Sequence, residues 1–270
     1  MQKMIASAGQ RWLTVAAVVV AIAINGFSNA YPPAGKNTGE VSNTILGGVL
    51  ITPAGYAFAI WGLIYIGLIA YSIYQVLPAQ RHNRALRQVS WGITGACLLQ
   101  IIWLYVFLTY RFWGSVVAMA GIVVCLAVAY VAARSLRATW KVRWLLQAPI
   151  SIYFGWITVA AVVNVAGALY TLAIPVSPIE DFAGIVNAST GGLIATVVMM
   201  CVSAGLAAMV AWRYDDAAYP AVVVWALSAI AIRHAGAIMP LAIVGIVLAV
   251  ALSVLIVRIV ASRRGRRSLS

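Results

Sequence analysis

The sequence predicts an all-α fold, a polytopic bundle of transmembrane helices with about eight spans. Three observations predict it. The 270 residues are 64% hydrophobic and only 9% charged, with mean hydropathy +1.00, whereas water-soluble domains are about half apolar. The apolar residues gather into runs of roughly 20, the helical length that crosses a hydrocarbon core of about 30 Å. The Lys and Arg residues fall between those runs and at the C-terminus.

In chain order the runs are Trp12–Ala30, Tyr56–Val76, Val89–Thr109, Trp113–Ala133, Trp144–Val165, Gly191–Trp212, Ala217–Ile232 and Leu241–Val260. The first follows Lys3 and Arg11 and closes on Ser28, Asn29 and Ala30. It reads either as a span or as a secretory signal with a small-residue cleavage site. The connection Tyr31–Thr52 is the longest outer loop, rich in Gly, Asn, Ser and Thr. A lid over the bundle and a solvated linker are both open readings of it. Prolines punctuate the other boundaries: Pro78, Pro175 to Pro178, Pro220 and Pro240 all sit near span ends. The seventh run is marginal in length, and the charge ledger decides for it. With eight crossings and both termini in the cytoplasm, fifteen of the eighteen basic residues fall inside, leaving only Lys36, Arg111 and Arg233 outside. That is the positive-inside pattern. The formal charge of +13 therefore reads as membrane topology and not as nucleic-acid binding. The basic tail from Arg263 to Arg267 reads as a stop-transfer anchor, with anionic lipid as its alternative contact.

Composition also narrows the chemistry. Only five acidic residues occur, Glu40, Glu180, Asp181, Asp215 and Asp216, and no span centre carries an ionisable group. Charges inside a bilayer mark ion and proton paths, so their absence disfavours a pump. Cys97, Cys125 and Cys201 lie in apolar runs without Cys-x-x-Cys spacing, and predict neither a disulfide nor a metal site. His82 and His234 stand beside positive charge with no set of ligands around them and read as interfacial residues.

The spans instead carry neutral amides and hydroxyls, Asn25, Gln100, Thr158 and Asn164, which commonly serve as contacts between helices. Ten Trp and twelve Tyr are the unusual feature. Trp12, Trp113, Trp140, Trp144 and Trp212 fit interfacial belts. Trp61, Trp103 and Trp156 lie deeper, each with aromatic company at a helical spacing: Phe58 and Tyr65, Phe107, and Tyr153 respectively. Rings on one helix face with an amide nearby suit a flat hydrophobic guest. Ordinary helix packing accounts for the same spacings.

At these residues the sequence resembles the TspO/translocator protein family, the tryptophan-rich sensory proteins. The stretch PAGYAFAIWGLIY supplies Pro53, Trp61 and Tyr65 at the family spacing, with Phe58 displaced by one position. QIIWLYVF carries Gln100 in place of the family Asn, then Trp103 and Phe107. YFGWITVAAVVN keeps Tyr153, Trp156, Ala160 and Asn164 in register, with Ile152 for a Pro and Val163 for a Leu. The resemblance implies a five-helix core over residues 53–212. Residues 1–52 would add a helix, with a signal anchor as its alternative reading, and the outer loop, and 213–270 two helices and the basic tail, as in a long form. It also implies a cavity for porphyrins or other tetrapyrroles lined by Trp61, Tyr65, Trp103, Tyr153, Trp156 and Asn164, with Gln100 and Phe107 beside them.

The expectation is an integral membrane receptor or sensor for a flat hydrophobic ligand, porphyrin or haem, with no required cofactor, no metal and no catalytic residue. A transporter of such molecules is the alternative. An intramembrane enzyme lacks any conventional acid, base or nucleophile constellation, and a structural helper of other membrane proteins is the remaining reading. Expected partners are the hydrophobic small molecule and membrane lipid, with a homodimer left open and no nucleic acid. A bacterial inner membrane is the expected address.

Overall fold

The computed structural model describes the backbone of residues 2–80, 83–173 and 190–267. Arg81, His82, Pro175 to Pro178, Glu180 and Asp181 lie outside the described residues, as do the side chains of Lys3 and of Arg263 to Arg267. Every apolar run is helical, and no strand occurs among the described residues. The helices are α1 (Gln2–Ala30), α2 (Thr38–Asn43), α3 (Ile60–Val76), α4 (Arg84–Leu108), α5 (Phe112–Arg134), α6 (Trp140–Val142), α7 (Ala148–Ala173), α8 (Thr190–Tyr214), α9 (Ala218–His234) and α10 (Met239–Arg267). Among the described residues seven stretches are long and apolar enough to cross a membrane, and α9 is a shorter apolar helix.

Local chemistry sets the boundaries. α3 stops where Leu77 precedes Pro78 and takes the extended ψ of 141° that a residue before proline prefers. α4 starts where the Asn83 side chain accepts from Leu86 N at 3.1 Å, an N-cap. The short α2 has a reciprocal capping box, with Asn37 Oδ1 accepting from Glu40 N at 3.0 Å and Glu40 Oε2 from Asn37 N at 2.7 Å. The fifth run departs from the sequence reading at both ends. It begins at α6, capped by Thr139 Oγ1 on Val142 N at 3.3 Å, and passes through a π-turn, Arg143–Gln147, into α7. Pro149 has no N–H to give the turn before it, and the wider π-turn takes up the mismatch. It continues to Ala173 because no residue after Val165 breaks a helix there.

The chain forms two compact units, Met1–Glu40 with Ala59–Ile157, and Val41–Phe58 with Thr158–Ser270. In the first, α4 packs along α5 and α1. A Cβ on Gly92 would stand 2.6 Å from the Cys125 carbonyl oxygen, so only glycine admits that approach of α4 to α5. A seam of buried hydroxyls and amides joins α1, α3 and α4. Gln75 Oε1 accepts from Ser90 Oγ at 2.6 Å, and the Tyr71 hydroxyl lies 2.9 Å from Ser90 Oγ. Thr94 Oγ1 lies 2.9 Å from Thr14 Oγ1, and Gln10 Nε2 donates to the Arg87 carbonyl at 2.8 Å. Asn25, by contrast, receives the Asn29 amide on its own helix.

In the second unit α9 packs on α10 and α8. The outer loop is not a free linker there. From Val41 to Phe58 it is a strap with Val41, Leu46, Val49 and Ile51 all buried, laid lengthwise on α9. Arg233 donates to Asn43 Oδ1 at 3.1 Å and to the Gly47 carbonyl at 3.3 Å. His234 Nε2 lies 2.8 Å from the Leu50 carbonyl, Ala54 N donates to the Ala229 carbonyl at 3.2 Å, and Trp225 Nε1 to the Ala57 carbonyl at 3.1 Å. The strap thus covers the C-terminal half of α9, from Trp225 to His234.

Candidate functional site

Three helices of the first unit bring the predicted aromatic residues together. On α3, Trp61 and Tyr65 stand one turn apart and stack, with ring centroids 5.6 Å apart and planes at 30°. On α7, Tyr153 presents its ring edge to Trp61 at 6.1 Å and 63°. Its hydroxyl donates to Gln100 Oε1 of α4. Tyr153 is fully buried and Gln100 is 3% exposed. The extra methylene of Gln over Asn lengthens the reach of the amide across the α4–α7 contact, and Tyr153 is what it reaches. Gly67 completes the arrangement from α3, since a Cβ there would meet Pro149 Cβ at 2.9 Å, so glycine lets α3 approach the start of α7.

The Tyr65 hydroxyl is the odd group in this cluster. It is buried and makes no hydrogen bond of normal geometry, although aromatic hydroxyls in apolar surroundings usually find a full partner. Its polar neighbour is Gln100, whose Oε1 already accepts from Tyr153. An unpaired buried donor costs about 1–3 kcal/mol, and a guest with an acceptor atom would remove that cost.

The remaining predicted residues separate into two groups. Trp103 and Phe107 stack on α4 at 5.0 Å and 21°, and Phe112 of α5 meets Phe107 edge-on at 5.6 Å and 76°. Trp156 is buried, 3% exposed, one turn beyond Tyr153 on α7. Asn164 and Phe58 belong to the second unit, where Asn164 is buried. The cluster of Trp61, Tyr65, Tyr153 and Gln100 is thus the compact part of the site. Tyr153 and Gln100 are buried, whereas Trp61 and Tyr65 are half-buried, so the cluster is partly open on its α3 side. Among the described residues no group of three or more His, Cys, Asp or Glu is placed to hold a metal ion.

The family model described as TSPO-like protein matches residues 11–258, from the first helix well into the last. The chain belongs to the TSPO-like family. It is an integral, multi-pass membrane protein of the TspO type. No curated protein and no solved structure matches it.

Sequence reading of this TSPO-like chain missed three kinds of residue. Phe112 joins the Trp103 pair from the next helix, a contact that no spacing within one helix announces. The seam residues Thr14, Gln75, Ser90 and Thr94 are short polar groups inside apolar runs; the four-residue step from Ser90 to Thr94, and that from Tyr71 to Gln75, was the available signal. Trp225, Arg233 and His234 gain their role only from a strap nearly two hundred residues earlier.

Proposed function

We propose that this TSPO-like protein is a membrane receptor for a flat hydrophobic ligand of the tetrapyrrole class, porphyrin or haem, taken between α3, α4 and α7 of the first unit. One observation carries the reading: the stacked Trp61–Tyr65 pair faces Tyr153 edge-on, with a buried tyrosine hydroxyl left unpaired among them. Stacked rings bury large apolar area with a preferred geometry. The free hydroxyl matches an acceptor on the guest. The pair on α3 is half-buried, and a ligand that binds one arrangement of the three helices better than another shifts the protein toward it. That is how binding becomes a signal in this reading. In this reading the chain needs no cofactor, sits in a bacterial inner membrane with both termini cytoplasmic, and Trp156 bounds the site one turn beyond Tyr153 on α7.

The test is a titration of the purified protein in detergent with protoporphyrin and with haem, following tryptophan quenching beside thermal stability. A ligand that binds the folded state raises its apparent stability, by about 2.7 kcal/mol at one hundred times Kd. Saturable quenching with a stability gain that Trp61→Ala and Trp156→Ala both abolish is the expected result. Quenching without any gain in melting temperature, or a gain untouched by either variant, sinks the proposal. Ligand flux into proteoliposomes that depends on Trp156 would replace the receptor by a transporter.

A further inference from the structure

The strap of the second unit does something unusual for a membrane protein. Its irregular backbone, residues 44–54, meets α9 from Ala229 to His234, five residue steps or about 8 Å at 1.5 Å per residue, before the short 3-10 turn Gly55–Ala59 carries it on to Trp225. Irregular backbone among membrane-spanning helices is tolerated only where protein covers it or where it lines a cavity. Both conditions hold here. The strap carbonyls of Gly47, Leu50 and Ala57 are met by Arg233, His234 and Trp225. Beside them Ile51 forms part of the wall of a cleft shared with α7, α8 and α9, where Val163, Met200, Ser203, Leu227 and Ile230 also face it.

The cleft differs in chemistry from the aromatic cluster. Its wall is aliphatic, with no aromatic ring, and its one hydroxyl, on Ser203, already donates to the Met199 carbonyl at 2.9 Å. An apolar cavity of this kind stays dry. As it stands it has about 10 Å³ of room, the space of roughly one water molecule. A larger guest enters only if the Ile51 side chain withdraws, and Met200, with its flexible thioether, adapts to irregular apolar shapes.

We propose that Val41–Phe58 is a re-entrant strap that closes a second binding site in this protein, one that takes the aliphatic chain of a membrane lipid. The wall selects a chain over a ring because branched aliphatic side chains offer area without a stacking face. The bilayer around these helices supplies the occupant at high concentration. Ile51 is the stopper, and the Arg233, His234 and Trp225 bonds set how firmly it is held. The site is independent of the tetrapyrrole reading, and stands or falls without it.

The experiment is photolabelling in proteoliposomes doped with a phosphatidylcholine that carries a diazirine on one acyl chain, with adducts mapped by mass spectrometry. Adducts on Val163, Met200 or Ile230, in addition to those on the lipid-facing Ile194 and Val198, are expected. Ile51→Ala should raise cleft labelling several-fold, and Ile51→Trp should abolish it while the Ile194 and Val198 adducts persist. Arg233→Ala, which loosens the strap without touching the cleft wall, should also raise it, and this variant decides the matter if Ile51→Trp does not fold. Adducts confined to lipid-facing residues in every variant, or cleft labelling indifferent to both Ile51→Ala and Arg233→Ala, overturn the proposal.

Discussion

The two units bury their polar groups in opposite ways. In the first, side chains on regular helices bond to each other or to neighbouring helix backbone: Gln75 with Ser90, Thr94 with Thr14, Tyr153 with Gln100. In the second, side chains of α9 reach out to the carbonyls of a strap that is irregular over residues 44–54 and ends in the 3-10 turn Gly55–Ala59. The difference follows from what each segment lacks. A helix satisfies its own backbone and can spend its side chains on specificity between helices. A strap does so only in part, through local turns such as Thr52 N to the Val49 carbonyl, and the helix beside it supplies donors to other carbonyls from the larger groups Arg, His and Trp. A polar residue in an apolar span is therefore a clue to a neighbour in the first unit, whereas in the second the clue is a donor at the end of a short helix.

Four substitutions break or sharpen that contrast, in falling order of effect on stability. Gly92→Val forces a branched side chain against the Cys125 backbone, a contact that only backbone movement relieves, and should cost about 3 kcal/mol. Measured by denaturation in mixed micelles, a cost below 1 kcal/mol would show that α4 and α5 are less closely held than described. Gln75→Leu removes the acceptor shared by Ser90 and Tyr71 and should cost about 1.5 kcal/mol, near the upper end for a hydrogen bond between membrane helices. The same assay read against Ser90→Ala should show the two losses to be non-additive, because both belong to one network. Additive losses would dissolve the seam into separate contacts.

Trp225→Phe keeps the ring and deletes the indole N–H that meets the Ala57 carbonyl. About 1 kcal/mol should be lost, and limited proteolysis should cut first within residues 44–58. Cleavage unchanged from the parent protein would mean that the strap is held elsewhere. Tyr65→Phe should move stability least, and in the other direction. It removes an unpaired buried hydroxyl, so the melting temperature should stay level or rise slightly, while porphyrin affinity falls about tenfold with the loss of about 1.4 kcal/mol of binding. A clear drop in melting temperature would mean that the hydroxyl has a partner in the resting protein.

Much of the fold was legible because the signals are local. Each apolar run became a helix, and Pro78 marked a boundary that the chain keeps, whereas the caps at Asn83 and Thr139 start their helices ahead of the apolar runs at Val89 and Trp144. The π-turn at Arg143–Gln147 was not legible, since it depends on how a proline is accommodated after the chain has already begun to coil. Of the site, the pairs within one helix were visible as spacings, Trp61 with Tyr65 and Trp103 with Phe107. The contacts between helices, Trp61 with Tyr153 and Gln100 with Tyr153, needed three helices placed in space. Arg233 shows the limit most plainly. Counting charges puts it on the outside, but only the folded chain reveals that its guanidinium is committed to Asn43 and Gly47.

The strap has a consequence for biogenesis. Its bonds to α9 join residues 168 to 190 positions apart, whereas the bonds that tie α1 into the first unit span 64 to 80. At ribosomal speeds of about 5–20 residues per second, the strap leaves the ribosome on the order of 10 seconds before its donors exist. During that interval its carbonyls must be solvated by water at the membrane surface, because hydrocarbon offers them nothing. The segment made among the first is thus seated among the last, and a nascent chain arrested before Trp225 would carry a complete set of early helices and an unseated strap.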